Sequence, residues 1–221
     1  MSIIQAVITN NYALISGDSR CTCVESGRHI SGFNKIIKLN NNVMFGCTGD
    51  PLDNFKLFDG FCYYHTRAGF RNSDESFDVS YNDFVDIISN RFNKMYGEHK
   101  SGDKSYDIGS LICGFNGKEF KITSISLGSK MGNPDGMSDV PKSKDFPYKG
   151  AIIGLPEHID KFETLTNELH QKYQRNFTIR QFKNIMQEVV DEGSKFDDTI
   201  DNNLNFETIR RVNKNGIIYY T

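Results

Sequence analysis

The second residue of the chain is a serine, and its position gives it two functional groups that can act together. Removal of Met1 leaves Ser2 with a side-chain hydroxyl and a free α-amine on the same residue. A serine hydroxyl is a weak nucleophile until a base accepts its proton, and an α-amine, with an ordinary pKa of about 8, suits that role. An apolar stretch then leads to Gly17-Asp18-Ser19-Arg20, which supplies a carboxylate. These residues favour a nucleophile at the mature N-terminus.

Each of these residues also has a simpler interpretation. Ser2 is small, and a small second residue by itself favours removal of the initiator methionine. Asp18 follows a glycine at the end of a predicted strand, where an aspartate commonly serves a turn. Position and residue type alone therefore leave both interpretations open.

The bulk composition is that of a globular domain. The chain has 221 residues, of which 38% are hydrophobic and 24% charged, with a net charge of −2. We interpret residues 1–221 as a single domain. The near-neutral balance argues against a dedicated nucleic-acid-binding protein. No apolar run reaches the length of a membrane span, and the N-terminus lacks the pattern of a signal peptide.

Five cysteines occur at positions 21, 23, 47, 62 and 113, without a CxxC pair. Cys21 and Cys23 share one face of a predicted strand, but a metal site would need two further ligands at a suitable spacing. We interpret the set as free thiols of a cytoplasmic protein. The segment from Gly46 to Gly49 lacks the pattern of a phosphate-binding loop, so we predict neither a metal nor another cofactor.

Runs of strand pattern alternate with runs of helix pattern, which favours an α+β protein over a parallel βαβ sheet. Asn10-Asn11 and Asn116-Gly117 mark hairpin turns, the second between strands at 108–115 and 120–126. We predict helices over 54–65, from Ser80, over 159–173 and after Thr178, whose capping box is completed by Gln181. The first of these would place His65 on an apolar face. The segments 67–79 and 130–145 are predicted as loops, and strands over 204–212 and 216–220 close the chain.

Four stretches, taken in order, resemble the proteasome β-subunit superfamily of N-terminal nucleophile hydrolases, which includes the HslV-type peptidases. The first runs from Ser2 to the Asp-Ser-Arg at 18–20. The others are Lys35-Ile36-Ile37-Lys38-Leu39, Phe45-Gly46-Cys47-Thr48-Gly49-Asp50, and the segment Asp197-Asp198-Thr199-Ile200-Asp201-Asn202-Asn203 with its closing hairpin. Each motif is weak alone, and their joint order carries the resemblance.

The resemblance implies a four-layer αββα sandwich, in which two antiparallel sheets are flanked by helices. It also implies that Ser2 is the nucleophile and that Asp18 orients the α-amine and pairs with Lys35. Lys35 would lower the proton affinity of that amine. Arg20 would support the site from the same Asp-Ser-Arg.

Other positions depart from the family pattern. The backbone N–H near Cys47 is expected to donate to the oxyanion, although the family often has a glycine there, and Gly46 is the alternative. Asp198 matches a family aspartate, whereas Asp201 replaces a serine and would add negative charge next to the amine. Leu155 replaces a serine that supports the nucleophile.

Three functions are compatible with these residues. The leading hypothesis is a peptidase or amidase that uses Ser2 on a peptide or protein substrate, within a homo-oligomeric ring. The resemblance also allows an ATP-driven unfoldase partner, which no residue here indicates, and it implies neither nucleic acid nor membrane as a partner. Cys47, Leu155 and Asp201 favour an alternative, a catalytically silent scaffold or assembly subunit. A small-amide hydrolase is the third hypothesis.

Overall fold

The first sheet is built around the N-terminal hairpin. The computed structural model describes residues 2–22, 27–72, 77–128, 134–141, 146–173, 177–214 and 217–221. Strands β1 (Ile4–Thr9) and β2 (Tyr12–Asp18) form the predicted hairpin, and every strand pair described is antiparallel. The order is β12-β1-β2-β13-β14, with β12 at Tyr148–Ile153, β13 at Leu204–Lys214 and β14 at Ile217–Tyr220.

The second sheet has the order β11-β10-β9-β6-β5. The predicted Asn116-Gly117 turn joins its central hairpin, and Gly117 has the positive φ of 93° that such a turn requires. The strands are β5 (Ile36–Lys38), β6 (Val43–Gly49), β9 (Ile108–Phe115), β10 (Phe120–Leu127) and β11 (Gly136–Asp139). Two short hairpins lie outside both sheets: β3 (Cys21–Thr22) with β4 (His29–Ile30), and β7 (Cys62–His65) with β8 (Gly69–Asn72).

The two sheets pack face to face through alternate residues of their strands. Ile4, Ala6 and Ile8 of β1 are buried with Met44 and Leu111 of the second sheet in one apolar cluster. Because side chains alternate across a strand, the intervening residues face the other way. Val7 and Leu14 accordingly pack in a separate cluster with helix residues.

Helices cover the outer faces of both sheets. Helices α1 (Pro51–Phe58) and α2 (Tyr81–Lys100) pack on the second sheet, whereas α3 (Pro156–Tyr173) and α4 (Ile179–Gly193) pack on the first. The predicted caps are confirmed: Ser80 accepts from the N–H of Asp83, and Thr178 forms a complete capping box with Gln181. The α+β prediction with antiparallel sheets is therefore confirmed.

Three local predictions were wrong. The helix predicted over 54–65 ends at Phe58, because Gly60 adopts a φ of 81° and the chain turns into β7. His65 is consequently exposed on a strand. Strand β8 lies within the predicted loop 67–79, and β11 lies within the predicted loop 130–145. The predicted strand at 21–25 is described only as β3, since residues 23–26 lie outside the described residues.

Among the described residues, no helix is both long and apolar enough to cross a membrane. Within the same ranges, no three His, Cys, Asp or Glu side chains lie together in a group that would hold a metal ion.

Candidate active site

The N-terminal hairpin places Ser2 beside Asp18. Ile4 pairs with Gly17, so the next step of the ladder brings Ile3 opposite Asp18. The N–H of Asp18 donates to the carbonyl oxygen of Ile3 at 3.2 Å, and the N–H of Ile3 donates to Asp18 Oδ1 at 2.8 Å. Asp18 is fully buried, so its carboxylate is held directly against the residue that follows Ser2.

Lys35 reaches the same point from the other sheet. It lies immediately before β5 and is only 3% exposed. Its Nζ is 2.8 Å from Asp18 Oδ1 and 2.7 Å from Ser2 Oγ. Lys35 is therefore within hydrogen-bonding distance of the other two residues that the sequence singled out for catalysis.

The charges of this group are compensated inside the protein. Oδ1 of Asp18 accepts from the Lys35 ammonium and from the N–H of Ile3, and Oδ2 accepts from the N–H of Arg20 at 3.1 Å. A buried ion pair is tolerated only when such bonds replace the lost water. The arrangement is thus a pre-formed polar site at one end of an apolar sandwich.

Two glycines bring the sheets close together next to this site. A Cβ on Gly46 would lie 2.9 Å from Ile4 Cγ2 of the first sheet, and a Cβ on Gly17 would lie 3.1 Å from Ile36 Cδ1 of the second. Cβ atoms rarely approach other carbons this closely, so side chains here would press the two sheets apart. Gly46, the alternative oxyanion residue of the sequence analysis, therefore has a packing role between the sheets.

The amide of Cys47 does not have the place that the sequence analysis gave it. Its N–H donates to the carbonyl oxygen of Lys35 at 3.0 Å, as part of the ladder between β6 and β5. An amide held in a ladder cannot at the same time bind an oxyanion. The N–H groups along a strand point alternately to its two sides, so the N–H of Gly49 points to the same side as that of Cys47. Gly49 lies beyond the end of β5. Sequence reasoning missed Gly49, although a glycine at the end of a strand was visible.

The side chain of Asp201 binds Ser19. Its carboxylate accepts from the hydroxyl of Ser19 at 2.8 and 3.0 Å, from the N–H of Ser19 at 3.1 Å, and from the N–H of Asn203 at 3.2 Å. Asp201 is buried, and these bonds fix the residue next to Asp18. The structure thus places Asp201 as an anchor for the end of β2.

Arg20 and Asp198 meet through a main-chain group. The guanidinium of Arg20 donates to the carbonyl oxygen of Asp198, whose side chain is exposed. Asp197, one residue earlier, is half-buried, with its Oδ1 accepting from the hydroxyl and N–H of Thr199. Partial burial raises the pKa of Asp197, but the two bonds from Thr199 and nearby positive charge, including that of His158, together hold the pKa below its ordinary value. The sequence analysis named Asp198, and the inward-facing aspartate is Asp197.

A buried histidine completes the surroundings of the site. His158 is 5% exposed, and its Nδ1 accepts from the N–H of Leu155 at 3.2 Å. Burial lowers its pKa, although the carboxylates of Asp197, Glu157 and Asp18 act in the opposite direction. Sequence analysis assigned His158 no role, since nothing in the order of residues shows that it would be enclosed near Asp18.

Comparisons with known proteins bear on the fold. No family model matches the sequence, and no curated protein matches it. Among solved structures, the chain matches eukaryotic HslV from Trypanosoma brucei with a TM-score of 0.58 over 94% of this chain and 99% of that one. This chain has the HslV fold. The identity between the two is only 13%, so the predicted resemblance is confirmed at the level of shape.

Proposed function

We propose that the protein is an N-terminal nucleophile hydrolase with a four-layer αββα sandwich, which cleaves peptide bonds through Ser2 after loss of Met1. The observation that carries the proposal is the contact of Lys35 Nζ with both Ser2 Oγ and Asp18 Oδ1, at 2.7 and 2.8 Å. A lysine that merely neutralised Asp18 would have no reason to reach the serine oxygen. The buried ammonium instead stabilises negative charge on that oxygen as it forms.

The first step is attack by Ser2 on the carbonyl carbon of the substrate. Ser2 Oγ accepts from Lys35, so its own proton is available to a base. The α-amine of the same residue takes that proton as Oγ bonds to the carbonyl carbon, which gives a tetrahedral intermediate with an oxyanion. Asp18 supports the amine through the main chain, because its carboxylate holds the N–H of Ile3.

The oxyanion needs a donor that the sheet does not already use. The N–H of Gly49 is the donor we assign, since that of Cys47 is bound to Lys35. Gly49 has a φ of 88°, and a Cβ there would lie 2.3 Å from the carbonyl oxygen of Asp107. Only glycine allows the chain to leave β6 in this direction.

The reaction is completed by proton return and water. The protonated amine of Ser2 donates to the leaving nitrogen of the substrate, the carbon–nitrogen bond breaks, and an acyl ester remains on Ser2 Oγ. Water then attacks the ester, with the same amine accepting its proton. The bond from the acyl carbon to Ser2 Oγ breaks, the amine returns the proton to that oxygen, and the carboxylic acid product leaves.

The decisive experiment compares two substitutions at one position by intact mass. Ser2→Ala removes the hydroxyl, whereas Ser2→Thr keeps it, and both second residues permit loss of Met1. We expect the wild type and Ser2→Thr to lose Met1 and to gain the mass of a β-lactone, and Ser2→Ala to gain none. Equal labelling of Ser2→Ala and wild type, with unchanged circular dichroism, would refute Ser2 as the nucleophile.

A catalytically silent scaffold is the alternative function. Leu155 favours it, because this side chain has no hydrogen-bonding group where the family has a supporting serine. Intact mass separates the two functions as well. Retention of Met1 in the purified protein would block the amine and establish the scaffold.

Substrate and assembly follow from the same proposal. We infer a homo-oligomeric ring that encloses the site and an ATP-driven unfoldase that feeds it, acting on unfolded protein. Light scattering of the purified protein measures the ring, and casein hydrolysis with and without ATP and candidate unfoldases measures the partner. Hydrolysis of acyl-amino acids without hydrolysis of peptides would instead establish a small-amide hydrolase.

A further inference from the structure

The imidazole of His158 caps the helix that begins beside the site. Leu155 precedes the first residue of α3, and its N–H donates to His158 Nδ1 at 3.2 Å. In return the N–H of His158 donates to the carbonyl oxygen of Leu155 at 3.0 Å. A glutamate or glutamine at this third helical position usually accepts the bond from the cap residue. A histidine does so only while its Nδ1 carries no proton.

The capped residue lies beside the nucleophile. Strands β1 and β12 are antiparallel, with Ile4 opposite Ile153. Continuing this register by two residues places Leu155 opposite Ser2. The position of the main chain at Gly154 and Leu155 therefore sets one wall of the site.

The ring of His158 is closely enclosed. A Cβ on Gly193, the last residue of α4, would lie 2.5 Å from His158 Nε2 and 3.4 Å from Ile3 Cδ1. On the other side, a Cβ on Gly154 would lie 3.2 Å from His158 Nδ1. The imidazole thus fills a space between two glycines and the residue that follows Ser2.

Charged groups reach the ring from three parts of the fold. Asp197 follows α4, Asp18 ends β2, and Glu157 precedes His158 on α3 itself. All three carboxylates favour the protonated ring, and burial outweighs them, so the pKa lies below its ordinary value of 6.5. The neutral ring, with its proton on Nε2, is the form that fits the observed bond.

We propose that His158 is a positioning residue for Ser2: its neutral imidazole holds Gly154 and Leu155 beside the nucleophile, and its protonation releases them and stops the reaction. The inference rests on the proposed function. Once protonated, both ring nitrogens are donors, so Nδ1–H would face the N–H of Leu155 and the cap bond would be lost. Protonation would also add a second cation to a site that already holds the Lys35 ammonium.

The proposal predicts two protonations that inhibit the enzyme. The α-amine of Ser2 must be neutral to act as the base. Its protonation therefore inhibits the enzyme independently of His158. Below the pKa of His158 a second proton inhibits as well. The logarithm of the rate should therefore fall with a slope of one per pH unit at first, and with a slope approaching two in more acidic solution.

Replacement of His158 by glutamine gives the sharpest test, because glutamine keeps the acceptor of the cap and cannot titrate. The probe is a β-lactone, and the readout is its second-order labelling rate from about pH 5 to about pH 8.5. We expect His158→Gln to label within about threefold of the wild type at the alkaline end and to keep a slope of one throughout. His158→Leu, which lacks an acceptor and also cannot titrate, should label at least about tenfold more slowly than His158→Gln at every pH.

Another histidine provides the matched control. His65 Nδ1 also accepts backbone N–H groups, those of Arg67 and Ala68, but the residue is exposed in β7. His65→Gln should therefore keep the slope of two. Circular dichroism at each pH, and recovery of the rate on return to the alkaline end, separate inhibition from unfolding.

The outcomes distinguish the two proposals. Equal slopes for wild type and His158→Gln, with normal labelling at alkaline pH, overturn the role of His158 and leave the proposed function standing. Absence of labelling at every pH in the wild type overturns both.

Discussion

The ammonium of Lys35 donates to the hydroxyl oxygen of Ser2 at 2.7 Å, although the two residues belong to different sheets. Ser2 precedes β1 of the first sheet and Lys35 precedes β5 of the second. The contact therefore exists only when both sheets are folded and packed. Under the proposed function, the reactivity of the serine would depend on the whole sandwich.

Lys35→Met should lose both reactivity and stability. Methionine matches the length of lysine but carries no charge, so Asp18 would remain buried without its partner. We expect β-lactone labelling to fall at least about 100-fold, and the free energy of unfolding to fall by about 3–5 kcal/mol. Labelling kinetics and urea unfolding measure the two effects.

Lys38→Met is the matched control for that change. Lys38 lies three residues further along, and its Nζ donates to the carbonyl oxygen of Thr208 at 3.0 Å, away from Ser2. Its loss should leave labelling within about twofold of the wild type and reduce stability by about 1 kcal/mol. Equal losses of labelling in both variants would show that Lys35 acts only through folding.

Gly49→Ala should remove the oxyanion donor by displacing the chain. A φ of 88° is strained for alanine, and the added Cβ would clash with the carbonyl oxygen of Asp107. We expect hydrolysis to fall by about 100-fold or more, and stability to fall by more than about 1 kcal/mol. Peptide hydrolysis and thermal unfolding give the two values.

Gly97→Ala provides the opposite case. Gly97 lies within α2, and nothing lies within 4 Å of a Cβ added there. This substitution should raise stability by about 0.5–1 kcal/mol and leave hydrolysis unchanged. A Gly49→Ala variant that kept full activity would exclude Gly49 as the donor.

Asp201→Ser tests how the departure from the family pattern acts. The sequence analysis expected the charge of Asp201 next to the amine, where it would raise the pKa of that amine, whereas the structure shows the carboxylate bound to Ser19 and Asn203. We expect the midpoint of the pH–rate profile to stay the same, and stability to fall by about 1–3 kcal/mol. A shift of the midpoint to lower pH would favour the charge effect instead.

The three buried thiols should react with an alkylating agent only after the protein unfolds. Cys47, Cys62 and Cys113 are buried, and burial raises the pKa of all three, that of Cys62 to about 12. Since the thiolate is the reactive form, iodoacetamide should leave these three unmodified in the native protein at neutral pH and modify them after unfolding. Peptide mass mapping measures each site. Rapid native modification of Cys62 would contradict its burial.

Local signals predicted those parts of the fold whose cause is local. The Thr178 capping box and the Asn116-Gly117 turn need only neighbouring residues, and both were confirmed. The end of α1 was missed because Phe55, Phe58 and Phe61 fit a helical spacing equally well. The positive φ of Gly60 prevents the helix from continuing, and the pattern of apolar residues does not reveal that backbone angle.

The site residues show the same difference between what local sequence determines and what the fold determines. Residue types and order pointed to Ser2, Asp18 and Lys35, whose approach the structure describes. Whether a backbone N–H is already bound depends on strand register: that of Cys47 donates to the carbonyl oxygen of Lys35, whereas Gly49 lies beyond the end of β5. The choice between Asp197 and Asp198 depends on how a turn is oriented after α4, and the enclosure of His158 depends on three elements distant in sequence.

The close approach of the two sheets at Gly17 and Gly46 has a consequence for variation across the domain. The spacing between the sheets at this end determines whether the lysine nitrogen reaches the serine oxygen. A larger side chain anywhere in the inter-sheet layer, even one remote from Ser2, would widen that spacing and lengthen the contact. Substitutions that change only the volume of this core should therefore lower the rate of the proposed reaction by graded amounts, although every reacting group is still present.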